Sequence, residues 1–495
     1  MKLVVKDMDI ATGGILVAVL NEEDARRLDL FPEDRIKIKF RKRETTAIID
    51  IAQTEKAVPK GHIGLFEEVL KKLNVKDGDI VDIDLRPKPS GVFAIRKKLD
   101  GIPLKRKEIF EIIKELVEDK LSQVELTYFI GACYTKGMTL DETVNLTKAI
   151  VHYGGKLKID RYPILDKHCT GGVPGNRTSM LIVPIIAAAG YTIPKTSSRS
   201  ITSPAGTADT MEVLAPVALT LEQMKKVVLK TNGCIVWGGA MELASADDKL
   251  IRLRDPLALD PEGMLLASIL AKKAAVGATH VLIDIPLGKE TKIKTKTKAL
   301  HLEKKFKLVG KHLGMNIRVM LSDGKEPIGN GIGPVLEAKT VLWTLMRDPR
   351  RPRDLERKAV RMATLLLEMV GVKNARRKVI EILKSGEAYR KMKEIIEAQG
   401  GDPNIKPEDL VPGQFKYTYR AQRTGYIANI DCISVRKMVR AAGAPKDKDA
   451  GLFLYKHEGE SVLEGEPIFT LYAHSKEKLR FGLSMFKRLG GIEVR

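Results

Sequence analysis

The sequence predicts a mixed α/β fold: a helical subdomain and a large α/β domain, with a small N-terminal β-barrel before them and an α+β part after them. Three observations carry this expectation. The opening 86 residues alternate short helices with apolar–polar strands in a repeated order. From about Lys105 to Tyr153, apolar residues recur at three- and four-residue steps, the period of a helix face. From Arg161 onward, short apolar runs alternate with helical segments, the pattern of a sheet covered by helices. At 495 residues the chain is long enough for several domains, each burying its own core.

The N-terminal unit contains a repeat. ARRLDLFPEDRIKIKF (25–40) and LKKLNVKDGDIVDIDL (70–85) align at an offset of 45 residues, since 70 − 25 = 45. Each ends a short helix, places an Asp (Asp34, Asp79) and enters an alternating strand with one buried face. Two such halves imply a pseudo-symmetric barrel over residues 1–86, an assembly or lid module without catalytic groups. RPKPSG (86–91) breaks regular structure and reads as a linker.

The helical domain is expected over 97–160, with a return segment near 246–276. Ser122 and Thr139 precede Glu125 and Glu142 at capping-box spacing, and each helix stops near a glycine. In the α/β domain (161–410), GCIVW, THVLIDIP and NIRVML read as strands buried on both faces. MLIVPIIAAAG and EGMLLASILAKKAAVG read as helices. Residues 411–495 form the α+β part, whose GLFLYKHEGESVLEGEPIFTLYA resembles the hammerhead folds that carry biotin or lipoyl groups. It has no Lys in the expected hairpin, so no such cofactor is assigned.

Composition narrows the function classes. No apolar run reaches the roughly 18 residues of a membrane span, and the N-terminus has no signal-peptide pattern, so a cytoplasmic protein is expected. Cys133, Cys169, Cys234 and Cys432 are scattered without a C-x-x-C pair, against a disulfide framework or structural zinc. The net charge of +22 favours polyanions or small phosphorylated ligands. Nucleic acid is disfavoured as the partner, because aromatics are only 5% and no cluster of aromatics interleaved with basic residues stands out. Abundant Lys with Glu fits a hyperthermophile surface.

The stretch KHCTGGVPGNRTS (167–179) is built to hold an anion. Its glycines lead into a helix beginning near Asn176, where unpaired N–H groups and the helix dipole attract negative charge. Lys167 adds a point charge, and Thr170 and Ser179 add hydroxyl donors. The spacing is neither a P-loop nor G-x-G-x-x-G. KTSSRSITSPAGTADTMEVL (195–214) sets Ser197, Ser198, Ser200, Thr202, Ser203 and Thr207 around Arg199, a guanidinium matched to a bound phosphate. In DPEGMLLASILAKK (260–273), Asp260 reads as the N-cap with Pro261 at the first helical position. Ser268 and Lys272 are four apart on that helix and so adjacent on its surface. DIPLGKETKIKT (284–295) ends a strand with Lys289, Lys292 and Lys294, which suits a second anion.

These elements, with SDGKEPIGNGIG (322–333), resemble the thymidine and pyrimidine-nucleoside phosphorylase family from about residue 97 to the C-terminus. The resemblance implies a helical domain facing an α/β domain, the class II nucleoside phosphorylase architecture, and phosphorolysis in the cleft between them. Carried over by motif, phosphate-binding residues fall on Lys167, Cys169, Ser179, Ser198 and Thr207, with His168 and Thr170 beside them. Base-side residues fall on Arg254, Ser268 and Lys272. This chain departs from the nucleoside enzymes in three places: Cys169 replaces a Ser, SSRSITSPAGT replaces a Gly/His-rich run, and ETKIKT replaces G-A-F-M-K-T. With the extra barrel, these departures look like the archaeal branch acting on nucleoside 5′-monophosphates. That branch implies AMP and inorganic phosphate as substrates, adenine and ribose 1,5-bisphosphate as products, and no metal or organic cofactor. Its AMP-binding positions carry over to Gly172, Ser198, Arg199, Ser200, Ile201, Thr202, Ser203, Thr207, Ser268 and Lys292, and its proton donor to Asp260. A helix N-cap stabilises an ionised carboxylate whereas an acid must hold its proton, so Asp260 is expected to face two opposed demands.

The nearest rival is a pyrimidine-nucleoside phosphorylase, which needs neither Arg199 nor Lys292. A phosphoribosyltransferase of related architecture requires Mg²⁺, and no paired-carboxylate metal site lies near these loops. The resemblance also implies a homodimer or larger homo-oligomer, joined through the helical domain.

Overall fold

A computed structural model describes residues 1–14, 16–85, 89–200, 203–241, 243–257 and 259–495. The chain divides into two compact units, Met1–Phe129 and Ile130–Arg495, a coarser division than the four parts expected from sequence.

The first unit begins with β1 (Lys2–Asp7), β2 (Val17–Asn21), α1 (Glu22–Arg27), β3 (Arg35–Phe40), β4 (Arg43–Ala52), β5 (His62–Leu65), α2 (Glu67–Leu73) and β6 (Ile80–Leu85). The strands close into a barrel in the order β1-β5-β2-β4-β3-β6. Pairs β1–β5 and β2–β4 are parallel, and the other four are antiparallel. Alternation along each strand sends Leu3, Val5, Ile36, Ile38, Val81 and Ile83 inward. The repeat is visible in its turns. Asp34 accepts from the Phe31 N–H and Asp79 from the Lys76 N–H, both at 2.8 Å, just before β3 and β6. The linker positions 86–88 lie outside the described residues.

Next come α3 (Gly91–Leu99), α4 (Arg106–Val117) and α5 (Gln123–Lys136), which crosses into the second unit, followed there by α6 (Leu140–Tyr153). Both expected capping boxes form: Ser122 with Glu125, and Thr139 with Glu142. Helices α5 and α6 run into Gly137 and Gly154. Helix α4 does not end at a glycine: Asp119 takes the left-handed conformation there, at φ 57°, which a short polar side chain tolerates.

The α/β part runs β7 (Leu165–Cys169), α7 (Thr178–Ala188), β8 (Ile193–Ser197), α8 (Thr207–Met211), α9 (Leu221–Thr231), β9 (Gly233–Trp237), α10 (Ser245–Arg254), α11 (Glu262–Ala275), β10 (His280–Leu287), α12 (Lys296–His312) and β11 (Asn316–Asp323). Strands β11-β10-β7 are parallel, as are β8-β9, and a parallel bridge between Ile164 and Thr192 links the two groups. Strand β10 is buried almost throughout, as expected. Strand β11 is not: it is the edge, and Asn316, Arg318 and Asp323 are exposed. Helix α7 is buried on every side from Thr178 to Ala187, which explains its all-round apolar sequence.

The remaining elements are β12 (Gly331–Ile332), α13 (Pro334–Leu345), α14 (Arg353–Met369), α15 (Ala375–Lys384), α16 (Glu387–Ala398), β13 (Phe415–Arg420), β14 (Gly425–Ile430), α17 (Cys432–Ala441), β15 (Gly451–Leu454), β16 (Ser461–Val462), β17 (Pro467–Ala473), α18 (Lys476–Leu489) and β18 (Ile492–Val494). Helices α14 and α16 pack on α7, and the antiparallel sheet β12-β15-β17-β13 forms part of the C-terminal core. Among the described residues no helix is long and apolar enough to cross a membrane.

Helix α11 is tied to β7 by a fully buried ion pair, Lys273 Nζ to Asp166 Oδ2 at 2.5 Å. Replacing one member leaves the other charge buried and uncompensated. Lys273→Met is expected to lower unfolding free energy by about 3–5 kcal/mol in urea titration; a loss below about 1 kcal/mol contradicts that role.

Candidate functional site

The loops that follow β7, β8, β9 and β10 lie at the C-terminal ends of parallel strands, where open α/β sheets place their ligands. Lys167 projects from β7 and donates to Thr178 Oγ1 at 2.8 Å and Ser179 Oγ at 3.2 Å. The glycine loop turns over it. Gly172 has φ 103°, and a Cβ there would stand 2.9 Å from Thr291 Cα and 3.2 Å from Lys292 N. Only glycine permits both that conformation and that approach, so the loop after β10 is seated on the glycine loop. The helix starts at Thr178, two residues later than expected. Asn176 instead donates to Cys169 Sγ at 3.4 Å and accepts from Thr178 Oγ1 at 2.9 Å.

Arg177, inside the glycine loop, is the buried tie that sequence reading passed over. Its guanidinium pairs with Glu337 of α13 and donates to Thr207 Oγ1 at 3.2 Å and Ala205 O at 2.7 Å. Glu337, fully buried, also accepts from Thr210 Oγ1 at 2.7 Å. One guanidinium thus fixes the glycine loop to the hydroxyl loop, leaving Thr207 beside it. In the hydroxyl loop, Ser200 and Ser203 bring their Oγ atoms to 2.9 Å, and Asp209 accepts from Ser200 N and Gly206 N. Ser198 contributes its backbone, with its carbonyl 2.7 Å from where a Cβ on Gly206 would stand. Ile201 and Thr202 lie outside the described residues.

Arg199 is not centred among those hydroxyls. It pairs with both Glu212 oxygens, lies 3.5 Å from Asp209 and covers the Trp237 ring at 4.9 Å. The Arg199 hydrogen bond, followed by Lys448, holds the Glu212 carboxyl well below the usual range despite burial. Arg199 therefore braces the loop, and Glu212 satisfies the guanidinium that sequence assigned to phosphate.

The three base-side positions meet on a residue that sequence reading missed. Asp247, buried on α10, accepts from Ser268 Oγ at 2.7 Å and pairs with Lys272 Nζ at 2.9 Å and Arg254 at 4.0 Å. Its spacing to Arg254, 254 − 247 = 7 residues, puts both on one helix face, a signal that was available. Asp260 is not the N-cap. Pro261 holds that position, its carbonyl accepting from Leu265 N at 2.9 Å, and helix α11 starts at Glu262. A residue without an N–H loses nothing at a helix start. The conflict expected from capping therefore does not arise. Asp260 instead pairs with Lys292 Nζ at 2.8 Å, both side chains well exposed.

Charge balance distinguishes this end of the sheet. Asp166 is matched by Lys273, Asp284 by Lys358 at 3.0 Å, and Glu337 by Arg177. Lys167 and Lys195 are buried with no carboxylate ion-pair partner among the described residues. Burial lowers both ammonium groups from their ordinary range; Cys169 and Asp284 oppose this at Lys167, while Lys273 adds to it strongly at Lys195. Burial also holds His168 well below the imidazole range, reinforced by Lys273, Lys195, Lys272 and Lys167, so its ring is neutral at physiological pH. Thr170 Oγ1 and the Arg254 Nε and Nη1 atoms are buried without a hydrogen-bond partner among the described residues. A site with surplus buried cations and free donors is complementary to anions. Among the described residues, no group of three His, Cys, Asp or Glu side chains is placed to hold a metal.

Family models match three stretches: the helical bundle domain of the glycosyl transferase family over 93–154, its a/b domain over 161–259, and the pyrimidine nucleoside phosphorylase C-terminal domain over 426–489. Curated relatives match across the chain. AMP phosphorylase from Thermofilum pendens is 45% identical over 93% of this chain and 89% of its own length. The AMP phosphorylase of Thermococcus sibiricus is 45% identical over 100% and 98%, and that of Pyrococcus furiosus 45% over 99% and 97%. Among solved structures, anthranilate phosphoribosyltransferase from Thermus thermophilus superposes with a TM-score of 0.53 at 18% identity, over 62% of this chain and 99% of that one. That likeness concerns the fold alone.

Cys169 gives a direct probe of the loop. Burial, then Asp284, pushes its thiol up to about 11, against the pull of Lys167. Iodoacetamide labelling of Cys169, followed by peptide mass, is expected to be slow at neutral pH and to accelerate roughly tenfold per pH unit toward that value; fast labelling at neutral pH contradicts a half-buried, protonated thiol.

Proposed function

The chain belongs to the AMP phosphorylase family, and from that premise we infer that it converts AMP and inorganic phosphate to adenine and ribose 1,5-bisphosphate. The observation that carries this reading to the site is the pair of buried ammonium groups without carboxylate partners among the described residues, Lys167 under the glycine loop and Lys195 on β8. A pyrimidine-nucleoside phosphorylase is not favoured, since full-length relatives at this identity are AMP phosphorylases.

In this reading the attacking phosphate sits against Lys167, Ser179, Thr207 and the N–H groups of the loop through Gly172. His168, Cys169 and Thr170 support it. A phosphate oxygen bonds to the anomeric carbon as the bond to the purine nitrogen breaks, and the electron pair leaves with adenine. Fixed donors hold the nucleophile in line and offset its charge at no reorganisation cost. The substrate's 5′-phosphate takes the 198–203 loop and Lys292, which stands 2.8 Å from Asp260. Asp260 gives the proton that the departing purine needs. Arg254, Ser268 and Lys272, gathered by Asp247, face the base. Burial disfavours the charge on Lys272, but Asp247 and then Asp248 outweigh it and hold the ammonium above the ordinary range, fully ionised. The reaction needs no metal or organic cofactor, takes place in the cytoplasm on AMP, with CMP and UMP as further candidate substrates, and is carried out by a homodimer or larger homo-oligomer that does not bind nucleic acid.

The sugar product tests the reaction. Incubation with AMP and phosphate is expected to yield a pentose carrying two phosphates by mass, and adenosine a far slower reaction; a singly phosphorylated sugar from a preferred nucleoside contradicts it. Asp260→Asn is expected to lower kcat by about 10²-fold or more, and near-normal turnover removes Asp260 as the donor.

A further inference from the structure

We propose that Glu290 is a positioning residue for substrate binding, latching the 288–293 loop onto the N-terminus of α17 and so setting where Lys292 stands. The proposal rests on the reading above that Lys292 meets the substrate phosphate.

The loop is pinned from two sides. On one side it lies on the glycine loop, through the close approach of Gly172 to Thr291 and the Lys292 N–H. Thr291 is buried and donates to Gly288 O at 3.0 Å and Ile293 O at 2.8 Å, so the loop's own backbone is braced around it. On the other side Glu290 reaches the C-terminal part. Its Oε2 accepts from Ile433 N at 3.1 Å, and its carboxyl shares a hydrogen bond with the Asp431 carboxyl, the N-cap of α17 that also accepts from Ser434 N. The residue between Thr291 and Ile293 is Lys292, so a shift of this latch moves the base of the lysine directly.

Two carboxyl groups in contact hold one proton between them. The groups facing the pair are Lys289 on the loop and the Cys432 thiol on α17, with Glu326 and Glu458 facing Cys432. Burial, then Asp431, raises Glu290; Asp431 stays low against burial because Glu290 and Ser434 donate to it. As pH rises through the raised Glu290 value, both become carboxylates and repel, and that part of the latch is lost. As pH falls through the low Asp431 value, the charged N-cap is lost. The latch therefore holds between the low Asp431 value and the raised Glu290 value, and weakens as pH rises through the latter.

Steady-state kinetics of the full chain from acid to alkaline pH, with E290A, E290Q, K292M and E290A/K292M, tests this. E290A is expected to raise KM for AMP about tenfold while leaving KM for phosphate, kcat at saturating AMP and melting temperature unchanged. E290Q accepts from Ile433 N and donates to Asp431 without titrating, so it should restore KM and remove its rise with pH. E290A added to K292M should have no further effect. An unchanged KM in E290A, a melting-temperature loss without a KM change, or additive effects in the double variant overturns the proposal. If K292M alone leaves KM for AMP unchanged, the reading of Lys292 fails, separately from whether Glu290 latches the loop.

Discussion

The site depends on a buried charge imbalance. Taking a cation out of water costs several kcal/mol unless it is paired, and this fold takes several to one end of its sheet. Asp166, Asp284, Glu337 and Asp247 each hold a cation in place. Lys167 and Lys195 are left over, and burial presses both toward neutrality. A phosphate reverses that pressure, since its charge repays the desolvation that the protein alone cannot. Burial with the same cations keeps His168 neutral, while burial and Asp284 keep the Cys169 thiol protonated against Lys167, so the loop offers no competing anion.

Precision comes from residues that never need to touch substrate. Arg177 ties the glycine loop to the hydroxyl loop through Glu337, Thr207 and Ala205. Arg199, with Glu212 and Trp237, braces the hydroxyl loop from outside, and Lys448 extends that brace to the C-terminal part. Asp247 gathers Ser268, Lys272 and Arg254. Ion pairs of this kind add little net stability, but they tie the glycine and hydroxyl loops to fixed partners.

Local chemistry was legible in the sequence, and distant pairing was not. The glycine loop, both capping boxes, the barrel repeat and the strand His280–Leu287 follow from residue type and spacing over a few positions. The partners of the site cations do not: Arg177 and Glu337 are 160 residues apart, and Lys273 and Asp166 are 107 apart. The hydroxyls beside Arg199 in sequence suggest a phosphate clamp, while Glu212, 13 residues on, claims the guanidinium through the turn of α8. Asp260 was read one position too far into its helix, because Asp-Pro suits N-cap and first helical position equally well in sequence. An edge strand such as Asn316–Asp323 likewise shares its apolar run with central strands until its neighbours are known.

The most direct test of the charge imbalance is urea unfolding as a function of inorganic phosphate, at ionic strength matched with chloride. A site built around uncompensated cations should be stabilised saturably, by about 2.7 kcal/mol at a hundredfold excess over Kd, and Lys167→Met should remove most of that gain. Stabilisation by phosphate no greater than by chloride, or one undiminished in Lys167→Met, would contradict the account.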